Sequence, residues 1–131
     1  MHSILVVDDE PVVLSSVSGA LQHFGFSVLR AASPDEALRV GASQAEAIDL
    51  MICDVLMPGP GGTGLAEKFR VLHPETRCLF MAGLPDHPEV LERVLRRGYA
   101  FLAKPFLPRQ LVAKVREVLD GPVPQTVAAE A

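Results

Sequence analysis

The sequence contains few aromatic residues, few cysteines and no long apolar run. Trp is absent and aromatic residues make up 5% of the chain, so the core must consist mainly of Val, Leu, Ile and Ala. The two cysteines, Cys53 and Cys78, lie within or beside apolar runs, and we expect buried thiols rather than a disulfide or a metal site. No apolar stretch approaches the roughly 20 residues of a membrane span, and the amino terminus lacks a signal-peptide core. We therefore expect a cytoplasmic protein without a membrane segment.

Positive charge is also in short supply. The chain has 12 Lys and Arg against 16 Asp and Glu, and the net charge of −4 argues against nucleic acid as the main partner. We interpret the local basic group as a solvated helix face and its neighbourhood; its members are Arg93, Arg96, Arg97 and Arg109. With 131 residues, 49% of them apolar, the chain is long enough for one globular domain with its own core.

Five short apolar runs alternate with stretches of helical periodicity, which predicts five strands and five helices. The predicted strands are Ile4–Val7, Ser27–Ala31, Leu50–Cys53, Cys78–Met81 and Ala100–Ala103. Runs that are apolar throughout are typical of parallel strands that are buried on both faces. The alternation therefore predicts an α/β fold, in which right-handed crossovers place helices on both faces of a parallel sheet.

Local sequence signals mark the starts of two of the predicted helices. Residues 33–36, Ser-Pro-Asp-Glu, predict a capping box at the start of the second helix, with Pro at its first position. The third helix is predicted from Thr63 to Leu72, after a glycine-rich loop.

Charged residues follow three of the predicted strands directly. Asp8 and Asp9 follow the first strand, Asp54 follows the third, and Lys104 follows the fifth. Each of these alone is more often a turn or a helix cap. Because the carboxyl ends of parallel strands share one edge of the sheet, the three carboxylates and the ammonium are predicted to converge. Oxygen ligands suit Mg²⁺, and a carboxylate beside Mg²⁺ and a lysine can receive a phosphoryl group.

The stretches around these residues resemble the receiver domain of response regulators in two-component signalling. In order along the chain they are Ile4–Glu10, Asp49–Pro58 and Leu102–Phe106. The resemblance implies a flavodoxin-like fold, a single doubly wound (βα)5 domain with a five-stranded parallel sheet of order 2-1-3-4-5. It implies a receiver domain over residues 3–119. The remaining residues 120–131 form a tail whose Pro- and Ala-rich composition predicts disorder.

The resemblance also implies roles for individual residues. Asp54 would be the phosphoacceptor, and Lys104 would hold a phosphoryl oxygen. Asp9 would bind Mg²⁺ directly and Asp8 mainly through water, with the backbone carbonyl of Leu56 as a further ligand. The implied cofactor is thus Mg²⁺. The implied activity is that of a signalling domain that becomes phosphorylated, rather than an enzyme with a separate substrate.

One position departs from the family pattern. Receivers carry Ser or Thr at the end of the fourth strand, where this chain has Ala82. No Ser or Thr lies between Thr76 and Thr126, so no neighbouring residue can supply the hydroxyl. Phe101 matches the switch aromatic of the family, and an ordinary core phenylalanine explains it equally well. The resemblance further implies that the peptide bond before Pro105 is cis.

Three functions are open on these observations. The first is a phosphoacceptor receiver that is served by a histidine kinase or a histidine phosphotransfer protein. The second, raised by Ala82, is an interaction module of the same fold that works without phosphorylation. The third is a nucleotide-binding enzyme, because residues 59–64 fit the dinucleotide fingerprint G-x-G-x-x-G. That fingerprint follows the third strand rather than the first, and the acidic residues with Lys104 favour the first function.

The resemblance implies that the partner surface lies on the fourth helix, fifth strand and fifth helix, about Pro88–Leu119. Without phosphate, we expect the protein to dimerise weakly or not at all. This surface would include Arg93, Arg96, Arg97 and Phe101. Only 12 residues follow Leu119 in the 131-residue chain (131 − 119), too few for an output domain. We expect either a stand-alone receiver or a piece of a larger protein such as a hybrid kinase.

Overall fold

The computed structural model describes residues 2–44, 47–57, 61–83 and 88–121. Within these ranges, a parallel sheet of five strands forms the centre of the fold. The strands are β1 Ser3–Val7, β2 Ser27–Ala31, β3 Leu50–Asp54, β4 Arg77–Gly83 and β5 Ala100–Lys104. All neighbouring strands pair in parallel, in the order β2-β1-β3-β4-β5. The predicted doubly wound fold is therefore confirmed. None of the described helices is long and apolar enough to cross a membrane.

Five helices connect or follow the strands. They are α1 Pro11–His23, α2 Pro34–Ser43, α3 Gly61–Leu72, α4 Pro88–Arg96 and α5 Pro108–Asp120. Helix α5 includes Asp120, the first residue of the predicted tail, and residues 122–131 lie outside the described ranges. Helix α3 begins at Gly61, before the predicted Thr63.

The predicted capping box of α2 forms only in part. The Ser33 hydroxyl accepts a hydrogen bond from the Glu36 N–H at 3.1 Å, as expected for an N-cap. The Glu36 carboxylate accepts from the N–H of Ala32 at 3.0 Å, one residue before the N-cap. The extended chain before the helix thus directs a different N–H toward the carboxylate.

The sheet is buried on both faces, which produces two aliphatic cores. Successive residues of β1 and β3 point to opposite faces, so Leu5 and Met51 belong to one core while Ile4 and Ile52 belong to the other. These four side chains are at most 1% exposed. Burying each one contributes roughly 1.5–3 kcal/mol, so the central strands hold the sheet edge in place.

Both cysteines lie in the core with few other polar groups around them. Cys53 and Cys78 are buried and free, as predicted. Burial raises the pKa of the Cys53 thiol well above its ordinary value. The protonated thiol therefore behaves as a small apolar group in the packing of the core.

Candidate phosphoryl-accepting site

The sheet order brings Asp8, Asp54 and Lys104 to one edge. Val7 pairs with Cys53 across β1 and β3, so the residues that come next, Asp8 and Asp54, lie side by side. Strand β4 separates β3 from β5, and Lys104 extends over it. Its Nζ lies 2.8 Å from Asp54 Oδ2 and 3.6 Å from Asp8 Oδ2.

The Asp54 carboxylate is fixed at both oxygens. Oδ1 accepts a hydrogen bond of 2.8 Å from the Leu56 N–H, and Oδ2 accepts the bond from Lys104. The residue is only 8% exposed. The Leu56 side chain, by contrast, is exposed at the rim. Asp54 is thus held in one orientation while the edge of the site remains open to solvent.

Asp8 is completely buried, and one of its oxygens has no hydrogen-bond donor. Oδ1 accepts from the Glu10 N–H at 2.8 Å, whereas Oδ2 has no such partner among the described residues. Burial raises the pKa of Asp8, and the neighbouring carboxylates of Asp54 and Asp9 also raise it. The Glu10 N–H and the Lys104 charge lower the pKa, but the net shift is upward. Asp8 therefore carries an uncompensated electrostatic cost that a further cation would relieve.

Lys104 remains a cation in this setting. Burial lowers the pKa of its amine, but the hydrogen bond to Asp54 and the charges of Asp54, Asp8 and Glu10 outweigh burial, so the pKa is raised. The peptide bond to Pro105 is cis, in agreement with the resemblance.

The carboxylates that lie closest together differ from the set that the resemblance implies. One oxygen from each of Asp8, Glu10 and Asp54 lies within 4.8 Å of the others. Asp9 is exposed and does not belong to this group. Glu10 was missed because its position depends on the turn in which its own N–H binds Asp8. Three oxygen donors, one of them buried and unpaired, fit a hard divalent cation such as Mg²⁺.

The glycine-rich loop has a packing role beside the site. A Cβ on Gly62 would lie 2.1 Å from the backbone oxygen of Asp54, and Gly61 has a φ of +71°. The Gly62 N–H also donates a 2.9 Å hydrogen bond to the Val55 carbonyl. Glycine at positions 61 and 62 thus lets α3 start directly against the acceptor strand, which gives Gly61 of the fingerprint a packing role; residues 58–60 lie outside the described ranges.

Ala82 lies in β4, next to the acceptor strand β3, and Phe101 lies in β5, one strand further along the sheet. Ala82 pairs with Ala103, and Phe101 pairs with Phe80. Both Ala82 and Phe101 are partly buried and pack against the core on the α3 side of the sheet. Ala82 offers only a methyl group where the family pattern has a hydroxyl.

The described side chains of the basic group are paired or exposed. Arg96 forms an ion pair with Glu92 on the exposed face of α4, and Arg97 forms one with Glu67 of α3. Arg109 is exposed, and the side chain of Arg93 lies outside the described part of the chain. These contacts agree with the interpretation as a helix face.

A doubly wound sheet with buried carboxylates and a lysine at its carboxyl edge defines a receiver-type signalling domain. The chain belongs to the response regulator receiver domain family, whose model matches residues 4–116. Members of this family are signalling domains of two-component systems. The recognised family and the predicted fold are thus confirmed together.

Curated relatives include a sensor kinase and a transcriptional regulator. The sensor kinase CckA of Brucella abortus is 32% identical over 118 residues, which cover 90% of this chain and 12% of that protein. The transcriptional regulatory protein CpxR of Klebsiella pneumoniae is 33% identical over 122 residues, 91% of this chain and 50% of that protein. The chain spans about half the length, or less, of the curated relatives it matches.

Two of the similar solved structures match over nearly their full length. The chemotaxis protein CheY4 of Vibrio cholerae has a TM-score of 0.81 and 30% identity, covering 90% of this chain and 98% of that one. The receiver domain of NtrX from Brucella abortus has a TM-score of 0.81 and 29% identity, covering 91% and 99%. The fold is therefore that of a single receiver unit.

Proposed function

We propose that Asp54 accepts a phosphoryl group from a histidine kinase or a histidine phosphotransfer protein, in a reaction that depends on Mg²⁺. The observation that carries the proposal is the 2.8 Å contact between Lys104 Nζ and an almost fully buried Asp54 carboxylate. The family match and the sensor-kinase and regulator relatives support the same role.

The transfer would join a carboxylate oxygen of Asp54 to phosphorus and break the phosphorus–nitrogen bond of the donor histidine. The departing nitrogen takes the electron pair of that bond and a proton from solvent. A carboxylate is already a nucleophile, so no general base is needed. The protein's contribution is positioning and neutralisation of charge on the phosphoryl oxygens. Lys104 supplies this charge because its pKa is raised and it stays protonated.

The cation would be held by the set that the resemblance implies, namely Asp8, Asp9, Asp54 and the backbone carbonyl of Leu56. The unpaired buried oxygen of Asp8 and the oxygen-only donors support it. When bound, Mg²⁺ would neutralise negative charge on the phosphoryl oxygens. Glu10 lies in the same carboxylate group and competes with Asp9 for the role of direct ligand.

The test of phosphorylation is the intact mass after incubation with acetyl phosphate or phosphoramidate and Mg²⁺. We expect one added phosphoryl group on the wild type and none on Asp54→Asn. Asp35→Asn, an exposed carboxylate on α2, is the matched control and should label like the wild type. The absence of an adduct with every small donor and with cognate kinases would contradict the proposal.

The test of the metal ligands is a Mg²⁺ titration without any phosphodonor. Asp9→Asn is expected to abolish measurable binding if the implied ligand set holds. Glu10→Gln serves as the comparison, because Glu10 is the third carboxylate of the group in the structure. Full binding by Asp9→Asn together with loss in Glu10→Gln would move the direct ligand from Asp9 to Glu10.

Ala82 supports a second candidate, a receiver-like module that binds its partner without phosphorylation. A hydroxyl that grips the phosphoryl group is absent at this position, so the link from Asp54 to Phe101 lacks one contact. The labelling experiment separates the two functions, since an unlabelled chain that still binds its partner would be such a module.

The remaining proposals concern the extent of the domain and its surroundings. We assign the receiver to residues 3–119 and the partner surface to α4, β5 and α5. A histidine kinase as donor would place the chain in the cytoplasm, in contact with neither nucleic acid nor membrane. We expect a monomer or a weak dimer without phosphate, measured by light scattering. A stable dimer through α1 would contradict the assigned surface.

A further inference from the structure

The amino-terminal edge of the sheet, opposite Asp54, contains a small, partly open cavity. Its volume is about 10 Å³, and it lies where α3 meets the starts of β4 and β5. The polar residues that line it include Arg70, Thr76, Arg77 and Tyr99. This volume is close to the minimum for one water molecule or one monatomic ion.

Two of these residues bring hydrogen-bond donors that have no acceptor. Tyr99 is 4% exposed, and its hydroxyl has no partner among the described residues. The two terminal nitrogens of Arg70, Nη1 and Nη2, are also buried without a partner. The Arg70 guanidinium lies 4.6 Å from the centre of the Tyr99 ring, which attracts the cation but offers no oxygen acceptor.

The other polar groups at the cavity are already committed. Thr76 donates its hydroxyl proton to the Ile48 carbonyl at 2.7 Å. Arg77 donates from Nε and Nη2 to the Gly121 carbonyl at 3.1 and 2.7 Å. Within the described ranges, neither residue accepts a hydrogen bond from Arg70 Nη1 or Nη2 or from the Tyr99 hydroxyl.

The positive charge of the Arg70 guanidinium also lacks a carboxylate partner among the described residues. Glu67, one helical turn before Arg70, forms its ion pair with Arg97. Within the described ranges, no carboxylate forms an ion pair with Arg70. Buried charges in proteins are normally paired, so Arg70 is an exception that needs an explanation.

We propose that this cavity binds a monatomic anion, a halide such as chloride, which accepts hydrogen bonds from Arg70 and Tyr99. A halide accepts several N–H and O–H donors at once and neutralises the guanidinium. A water molecule would bring two further protons that need acceptors, and it carries no charge. The pocket has space for about one water-sized sphere, which favours a monatomic ion over phosphate or sulfate.

The Tyr99 hydroxyl keeps its proton under these conditions. Burial raises the pKa of Tyr99, the nearby Cys78 and Glu67 also raise it, and Arg70 and Arg97 lower it; the net shift is upward. Tyr99 is therefore a donor throughout the neutral range.

The first test is thermal unfolding at constant ionic strength, with sodium chloride compared with sodium gluconate, whose anion is too large for the cavity. Binding lowers the unfolding equilibrium constant by a factor of 1 + [L]/Kd, so a Kd of about 10 mM gives about an elevenfold decrease at 100 mM chloride. Tyr99→Phe, which removes one oxygen atom, and Arg70→Met are expected to lose this response. Arg109→Met, the same change at an exposed arginine, should keep it.

The second test is a crystal structure of the wild type in bromide, with anomalous scattering to locate the ion. We expect a bromide peak between the Arg70 guanidinium and the Tyr99 hydroxyl. A water molecule or a carboxylate side chain in the cavity would overturn the proposal. So would a chloride response in Tyr99→Phe equal to that of the wild type, or no response in the wild type.

Discussion

At the carboxyl edge of the sheet, the carboxylates of Asp8 and Asp54 face the single ammonium of Lys104, whereas at the amino edge Arg70 and Tyr99 face no described acceptor. Among the described residues, one edge contains a buried carboxylate oxygen that accepts no hydrogen bond, and the other contains buried donors without an acceptor. The comparison shows that the same sheet leaves opposite electrostatic deficits at its two ends. The two proposed ions, Mg²⁺ and a halide, each have the sign that would offset the deficit at their edge.

Both deficits are tolerated because the strands between them are packed on two faces. A buried polar group without a partner costs about 1–3 kcal/mol. Each fully buried aliphatic side chain of β1 and β3 contributes a similar amount in the opposite direction. The core therefore holds polar groups in arrangements that they would not adopt alone, which is what an ion-binding site requires.

The largest expected effect comes from breaking the backbone of the carboxyl edge. Gly62→Ala places a methyl group 2.1 Å from the Asp54 backbone oxygen, so α3 must move away from β3. We expect a loss of roughly 3 kcal/mol in the free energy of unfolding, measured by urea denaturation. Gly19→Ala in α1 is the control, because nothing lies within 4 Å of its new Cβ. Equal stability of the two variants would contradict the close packing.

The second prediction concerns the hydroxyl that the carboxyl edge lacks. Ala82→Thr can add one charge-assisted hydrogen bond to the phosphoryl group, worth about 1.5–3 kcal/mol when fully formed. We expect phosphorylation by a small donor to accelerate about tenfold, since only part of this bond exists in the transition state. The chemical shifts of Phe101 should also respond more strongly to a phosphate mimic. If neither the phosphorylation rate nor the chemical-shift response of Phe101 changes, Ala82 does not weaken the site.

The third prediction concerns the buried negative charge of Asp8, whose Oδ2 accepts no hydrogen bond from any described residue. The pKa of this carboxyl is raised in the folded protein, so the folded state binds the proton more tightly than the unfolded state, and stability falls as pH rises through the shifted pKa. Without Mg²⁺ at pH 7, we therefore expect Asp8→Asn to have a higher free energy of unfolding than the wild type. The gain should shrink as pH falls below the pKa of Asp8. A destabilised variant at pH 7 would show that the ion pair with Lys104 dominates.

The smallest effect is expected at the amino edge, where Arg77 is fully satisfied. Arg77→Met removes the two hydrogen bonds to the Gly121 carbonyl at the end of α5. We expect a loss of about 0.5–1 kcal/mol in thermal unfolding, because the acceptor is half-buried and water can replace the bonds in part. Arg70→Met in chloride-free buffer should cost less than this or even stabilise, since its donors are unpaired. The reverse order would argue against the contrast between the two residues.

The sequence predicted the carboxyl edge far better than the amino edge. Asp8 directly follows β1, and Asp54 and Lys104 are the last residues of β3 and β5, so strand order alone brings them together. Arg70 lies within a helix and Tyr99 precedes a strand, and no sequence spacing links them. Glu10 escaped prediction because a single hydrogen bond between its N–H and Asp8 decides where its side chain lies.

Lys104 reaches Asp54 by crossing the whole width of β4. Neighbouring strands lie about 4.8 Å apart, so β3 and β5 are separated by roughly 9–10 Å, and the four-carbon stem of lysine is needed to bridge them. The length of this side chain is therefore specified as strictly as its charge. Because one end belongs to β5 and the other to β3, the ammonium–carboxylate distance acts as a gauge of lateral sheet geometry. An isotope label on the Lys104 nitrogen would report any sliding or twisting of β5 relative to the acceptor strand.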